Sequence, residues 1–100
     1  MLYAIIGTDH PNSLEKRVAN RPEHLARLKL LQDEGRLLLA GPFPAIDCVD
    51  PGPAGFSGSL IVAEFPSLDE AKAWAEADSF VTGGVFSGIT VQPFRKTLPA

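Results

Sequence analysis

SLIVAEFPSLDEAKAWAEAD, residues 59–78, carries two different hydrophobic periods side by side. Its first part, Ser59–Phe65, reads as a strand with a continuous apolar centre at Leu60–Ala63. After Pro66 the apolar residues Leu68, Ala71, Trp74 and Ala75 recur at helical spacing. Ser67 stands at the N-cap position, and Glu70 follows three residues later, the pattern of a capping box. A strand therefore leads directly into a helix that runs to Asp78.

Working outward from this unit gives the remaining elements. Upstream, residues 45–58 (AIDCVDPGPAGFSG) form a long connection with three Gly and two Pro, and residues 36–44 (RLLLAGPFP) a strand closed by Gly41 and Pro42. Before it lies NRPEHLARLKLLQDEGR, residues 20–36. Pro22 restricts Arg21 to extended backbone, so the main helix is expected to begin afresh near Pro22. Gly35 is its stop. Ser13 before LEKR is an N-cap followed by a separate first helical turn. Leu2–Gly7 is a strand ended by the turn GTDHPN. Downstream, residues 79–88 (SFVTGGVFSG) are a turn region, 89–94 (ITVQPF) the last strand and 95–100 a tail. The order β-α-β-β-α-β predicts an α+β ferredoxin-like sandwich over residues 1–100, a single domain with a four-stranded antiparallel sheet and both helices on one face.

The strands add a further expectation. A sheet covered on one face alternates apolar and polar residues. LYAII, LLLA and LIVA do not alternate. Two helices cover one face only, so the other is expected to meet a second copy of the chain about a two-fold axis, a homodimer closing a dimeric α/β barrel. The alternative is a monomer whose open face is shielded by the 45–58 loop and the tail.

Composition narrows the functional classes. Hydrophobic residues make up 45% and charged residues 21%, which fits a folded domain rather than a disordered chain. The formal charge of −3 speaks against nucleic acid or an anionic membrane as partner, since both require a basic face. There is no targeting signal and no apolar run long enough to span a bilayer, so a cytoplasmic location is expected. The lone Cys48 excludes an internal disulfide. Two His and one Cys without ligand spacing make no metal site, and GPAGFSG leads into a strand, not a helix, so it is no phosphate cradle. No cofactor is expected.

Two polar residues sit oddly. At 100° per residue, Leu28 lies about 40° and Leu31 about −20° from His24, so His24 shares the face that packs on the sheet. Asp78 falls in the apolar stripe of the second helix, at its C-terminal end, where the helix dipole favours cations. In this topology the two helices run antiparallel, which brings the start of the first and the end of the second to one edge. His24 and Asp78 thus form an expected pair, the carboxylate orienting an imidazole that exchanges protons with a ligand. The same pair can equally be a structural clasp between helices. Thr8, Asp9 and His10 in the first turn, Gly83 and Gly84 after Asp78, and the aromatic residues Trp74, Phe80 and Phe86 are candidates for the surrounding pocket.

RPEHLARLKLLQDEGRLLLAGPFPA, DPGPAGFSGSLIVAEFPSLDEAKAWAEADSF and GVFSGITVQPF resemble the YciI-like proteins, small bacterial proteins with a YCII-related domain, over residues 1–96 and most closely the stand-alone enterobacterial type. The resemblance implies a ferredoxin-like fold, a dimeric α/β barrel and an active site centred on a His–Asp pair, which corresponds to His24 and Asp78. The family usually carries Asp-Pro at this point, and this chain has Asp78-Ser79. One branch resembles a dehydrochlorinase of a chlorinated hydroxyquinol, but a shared fold does not transfer a substrate. Two functions stay open: a small-molecule enzyme using His24 and Asp78 for elimination, isomerisation or dehalogenation, and a non-catalytic homodimer that binds a small ligand or serves as an interaction module.

Overall fold

In the computed structural model, which describes all of Met1–Ala100, four strands form one antiparallel sheet. They are β1 (Leu2–Asp9), β2 (Leu37–Pro44), β3 (Phe56–Glu64) and β4 (Phe86–Phe94), in spatial order β2-β3-β1-β4. β1 and β3 are central, with Ile5 opposite Ile61 on one side and Val91 on the other. The helices are α1 (Leu14–Asp33), α2 (Leu68–Glu76) and the single turn α3 (Ser79–Thr82). This is the expected α+β arrangement of a four-stranded antiparallel sheet with flanking helices.

The core follows from the alternation of β1, where Tyr3, Ile5 and Gly7 are buried and Leu2, Ala4 and Ile6 only partly so. Tyr3, Ile5, Ile61 and Ala63 pack with Leu28 and Leu31 of α1 and Ala71 and Ala75 of α2. Gly7 is small for a reason: a Cβ there would lie 2.5 Å from the Phe86 ring. Phe86 instead packs with Phe80 and Val85 in a second, smaller cluster at the edge of the sandwich.

Three expectations need correction. α1 does not restart near Pro22; it runs unbroken from Leu14 to Asp33 with Pro22 inside it. His24 is therefore in the middle of a long helix, not in a first turn. The proline is tolerated because the carbonyl it leaves without a donor is that of Val18, on the exposed face where water substitutes. Ser13 does stand at the N-cap, but its hydroxyl donates to Asp9 Oδ2 (3.0 Å) instead of capping the helix. Finally, α2 ends at Glu76, and Asp78 is not an ill-placed C-terminal carboxylate. It is the N-cap of α3, accepting from the Phe80 backbone N–H at 3.0 Å. Two local signals hold, with Gly35 at φ +72° at the end of α1 and Ser67 Oγ accepting from the Glu70 N–H at 3.2 Å, while β1 runs on to Asp9 and β3 and β4 begin earlier than expected, at Phe56 and Phe86.

Candidate active site

Register along α1 decides what faces the sheet. Ser13, Arg17, His24, Leu28 and Leu31 are its buried positions or flank them, one stripe at spacings of four, seven, four and three residues. The stripe is polar at its N-terminal half and apolar at its C-terminal half. The polar half carries the chemistry.

His24 Nδ1 and Asp78 Oδ2 are 2.7 Å apart, and both residues are buried. Asp78 Oδ2 also accepts from the Phe80 N–H, and Oδ1 accepts from Arg27 Nη1 at 2.9 Å. Burial pushes the Asp78 carboxyl up. The hydrogen bond and charge of His24, the Phe80 N–H and Arg27 outweigh that and hold it below its ordinary 3.8. An ionised Asp78 fixes the tautomer with the proton on Nδ1 and leaves Nε2 as the basic nitrogen. The ring is stacked on Phe80 with centroids 3.9 Å apart and planes at 8°. Nε2 makes no hydrogen bond to the protein, yet no fully buried side-chain nitrogen or oxygen lacks a partner. Nε2 therefore reaches the solvent space beside it.

That space is a cleft of about 140 Å³ between α1 and the β2–β3 side of the sheet. His24, Arg17, Arg21 and Phe80 line it with Ser59 and the Ala40–Pro42 segment. No three His, Cys, Asp or Glu side chains converge in a metal-holding cluster.

A second ionic centre joins Asp9 to Arg17, a residue not singled out from the sequence. Arg17, 2% exposed, donates from Nε to Asp9 Oδ2 at 2.5 Å and from Nη2 to Asp9 Oδ1, Gly58 O and Ser59 Oγ at 2.8 to 3.0 Å. Its guanidinium lies 5.1 Å from the Phe80 ring centroid and 5.2 Å from that of Phe56. The signal was present: Arg17 is seven residues before His24, two helical turns and the same face. Splitting the helix at Pro22 hides it.

The other expected residues divide. Phe80 meets His24, and Phe86 backs Phe80 edge-on at 5.6 Å. Thr8 and His10 face a different groove, beside Leu14 and the loop after β2. Trp74 packs on Phe65, holds Arg27 over its ring at 4.3 Å and borders a third groove. Gly83 abuts Asn20, where a Cβ would come within 2.4 Å, and Gly84 sits near Lys16. Neither glycine lines the cleft.

A family model described as the YCII-related domain matches residues 1–95. The chain belongs to that family. It is 59% identical over 96 residues to Protein YciI of Escherichia coli, covering 96% of this chain and 98% of that one. An uncharacterized protein of Haemophilus influenzae is 54% identical over the same shares. Among solved structures, this YCII-related chain is similar to 5-chloro-2-hydroxyhydroquinone dehydrochlorinase from Burkholderia phenoliruptrix, solved with 2,5-dihydroxybenzoquinone. The TM-score is 0.83 and the identity 28%, over 97% of this chain and 96% of that one. An antibiotic biosynthesis monooxygenase shares the fold alone, at TM-score 0.51 and 15% identity over 97% and 99%. The YCII-related chain thus combines the fold of a small-molecule dehydrochlorinase with a buried His–Asp pair, an arrangement consistent with acid–base catalysis on small substrates.

Proposed function

We propose that the protein is a small-molecule enzyme in which His24 is the general base and acid, Asp78 is its positioning residue, and the substrate is a small, enolisable or hydroxylated aromatic compound. The observation that carries this reading is the asymmetry of the imidazole: Nδ1 held by an ionised carboxylate, Nε2 free and facing a cleft. Nε2 accepts a proton from a substrate C–H or O–H. The bonding pair left behind moves into the conjugated system toward a carbonyl oxygen. An isomerisation is completed when the imidazolium returns the proton to another atom. An elimination is completed when a leaving group departs with its electron pair and the imidazolium later loses its proton to solvent. The likeness to the dehydrochlorinase supports a hydroxylated ring as the substrate class.

A non-catalytic binding module is the second reading. It is favoured by Asp78 also tying Arg27 of α1 to the start of α3, as a structural clasp does. Solvent-deuterium uptake into a panel of hydroxyquinols and enolisable ketones separates the two. The wild type should catalyse exchange, or release chloride from 5-chloro-2-hydroxyhydroquinone, and His24→Gln should lose about 10²-fold or more of that rate. Binding without exchange, equal in both proteins, would leave the binding module.

We further propose that the chain is a homodimer through the sheet face opposite the helices. Leu39, Phe43 and Phe94 are exposed, and Leu2, Ala4, Ile6 and Leu60 are only partly covered.

A further inference from the structure

Arg17 has five N–H donors, and only those of Nε and Nη2 are engaged. Nη1 has no partner in the protein. It is nevertheless not fully buried, because every fully buried side-chain nitrogen has a partner. Arg17 lines the His24 cleft and lines neither the groove beside Thr8 and His10 nor the one beside Trp74. The side chains of Arg17 and His24 thus line one small space, each with a nitrogen that no protein group engages, and Phe80 is in contact with both.

The charge around that space is one-sided. Asp9 balances Arg17, and Arg27 balances Asp78. Arg21 lines the cleft without any ion-pair partner, and no Asp or Glu lines it at all. This is the reverse of the chain as a whole, whose net charge is −3.

We infer that Arg17 is a second catalytic residue, whose Nη1 holds an anionic oxygen of the ligand, and that the cleft takes a small planar oxyanion: an enolate, a phenolate or a carboxylate on a ring. The inference rests on the proposed role of His24 and adds to it the place where the developing charge goes. A guanidinium clamped by Asp9, Gly58 and Ser59 cannot swing to follow a ligand. It offers a fixed donor that needs no reorganisation when an oxygen gains charge, the condition under which such donors lower barriers most. Arg21, exposed at the cleft wall, attracts the anion but is not fixed. Two helical turns, about 10 Å of axial rise, separate the Cα atoms of Arg17 and His24, and their side chains converge on Phe80, so a single ring can reach both.

The test uses 2-hydroxybenzoate and its uncharged amide, titrated calorimetrically into the purified full chain. The anion should bind at least about tenfold more tightly than the amide, the value of one charge-assisted hydrogen bond. Arg17→Lys keeps a cation beside Asp9 but removes Nη1, and should lose that preference. His24→Gln should keep the preference while losing proton exchange, so a failure of the base and a failure of the oxyanion site give different results. Arg17→Lys is vulnerable to misfolding, so isotope-edited NMR of the wild type provides a second measurement. The Arg17 Nε–Hε signal should shift on adding 2-hydroxybenzoate and not on adding the amide. Equal binding of acid and amide, an undiminished preference in folded Arg17→Lys, or an unmoved Arg17 signal would each overturn the assignment.

Discussion

Asp78 holds more of the structure than His24 does, and the difference is measurable. Removing the carboxylate takes the acceptor away from the Phe80 N–H, Arg27 Nη1 and the imidazole together. Removing the imidazole leaves Asp78 with two of its three partners. Asp78→Ala should therefore cost about 3 kcal/mol, as breaking a buried pair does, and His24→Gln about 1 kcal/mol. In a domain of this size each kcal/mol lowers the melting temperature by about 4–8 °C, so calorimetry resolves the order. A His24→Gln protein less stable than Asp78→Ala would contradict this account. Acid reads the same site. Since the folded protein holds Asp78 below 3.8, the unfolded chain takes up the proton first on acidification. The contribution of Asp78 is complete above 3.8 and disappears as the pH falls through the folded-state value. Asp78→Asn should be the less stable protein at neutral pH, with a melting temperature that falls less steeply below pH 3.8; parallel acid profiles would show that the carboxylate is not ionised in the fold. Arg17→Met should be costlier still than His24→Gln, about 3–5 kcal/mol, because Asp9 is then buried without a cation.

At the level of elements, α1 is where local rules and tertiary structure disagree. Its interior proline costs a helix about 3 kcal/mol in isolation. The Arg17 and His24 anchors on both sides of Pro22 fix the helix to the sheet and to α3, and Ser79 Oγ donates to the Asn20 carbonyl at 2.9 Å, so the helix continues. Pro22→Ala restores a donor to the Val18 carbonyl but frees the unfolded chain. The net effect should be a gain on the order of 1 kcal/mol in urea denaturation; a loss would mean that the proline itself positions the polar stripe. This conflict also marks the limit of what the residues alone revealed. The strand at Ser59–Phe65, the Ser67 cap and the Gly35 stop were legible because each rests on local chemistry or on periodicity, and the pairing of His24 with Asp78 because the topology sets the two helices antiparallel, although neither residue sits at the helix end expected for it. The one-turn helix α3 was not, since four residues are too few to show a period. Asp9 was placed at the right edge by the turn that ends the first strand, but its partner Arg17 was not legible, since a buried arginine is recognised by its partners, and these lie 8 to 42 residues away in the chain.

For the molecule as a whole, the question is what covers the second face of the sheet. β1 places Tyr3, Ile5 and Gly7 under the helices and turns Leu2, Ala4 and Ile6 the other way. Ile6 lies opposite Leu60 on β3, and Leu39 on β2 continues the row through Val62. No helix lies on that side. The loop and the tail leave Ile46, Val49 and Leu98 exposed, so their apolar side chains are not folded down onto it. A row of aliphatic side chains across three strands is the composition of an obligate interface, and a two-fold partner offers the same row in return. Sedimentation of the wild type at micromolar concentration should give twice the 10.7 kDa chain mass, and its melting temperature should rise with concentration. Ile6→Glu places a carboxylate within the row. Its burial without a cation opposes association, so the variant should sediment at the mass of one chain. It should still fold, because the side chain is outside the core formed by Tyr3, Ile5, Leu28 and Ile61. A wild type that sediments as one chain with a concentration-independent melting temperature would reject the dimer.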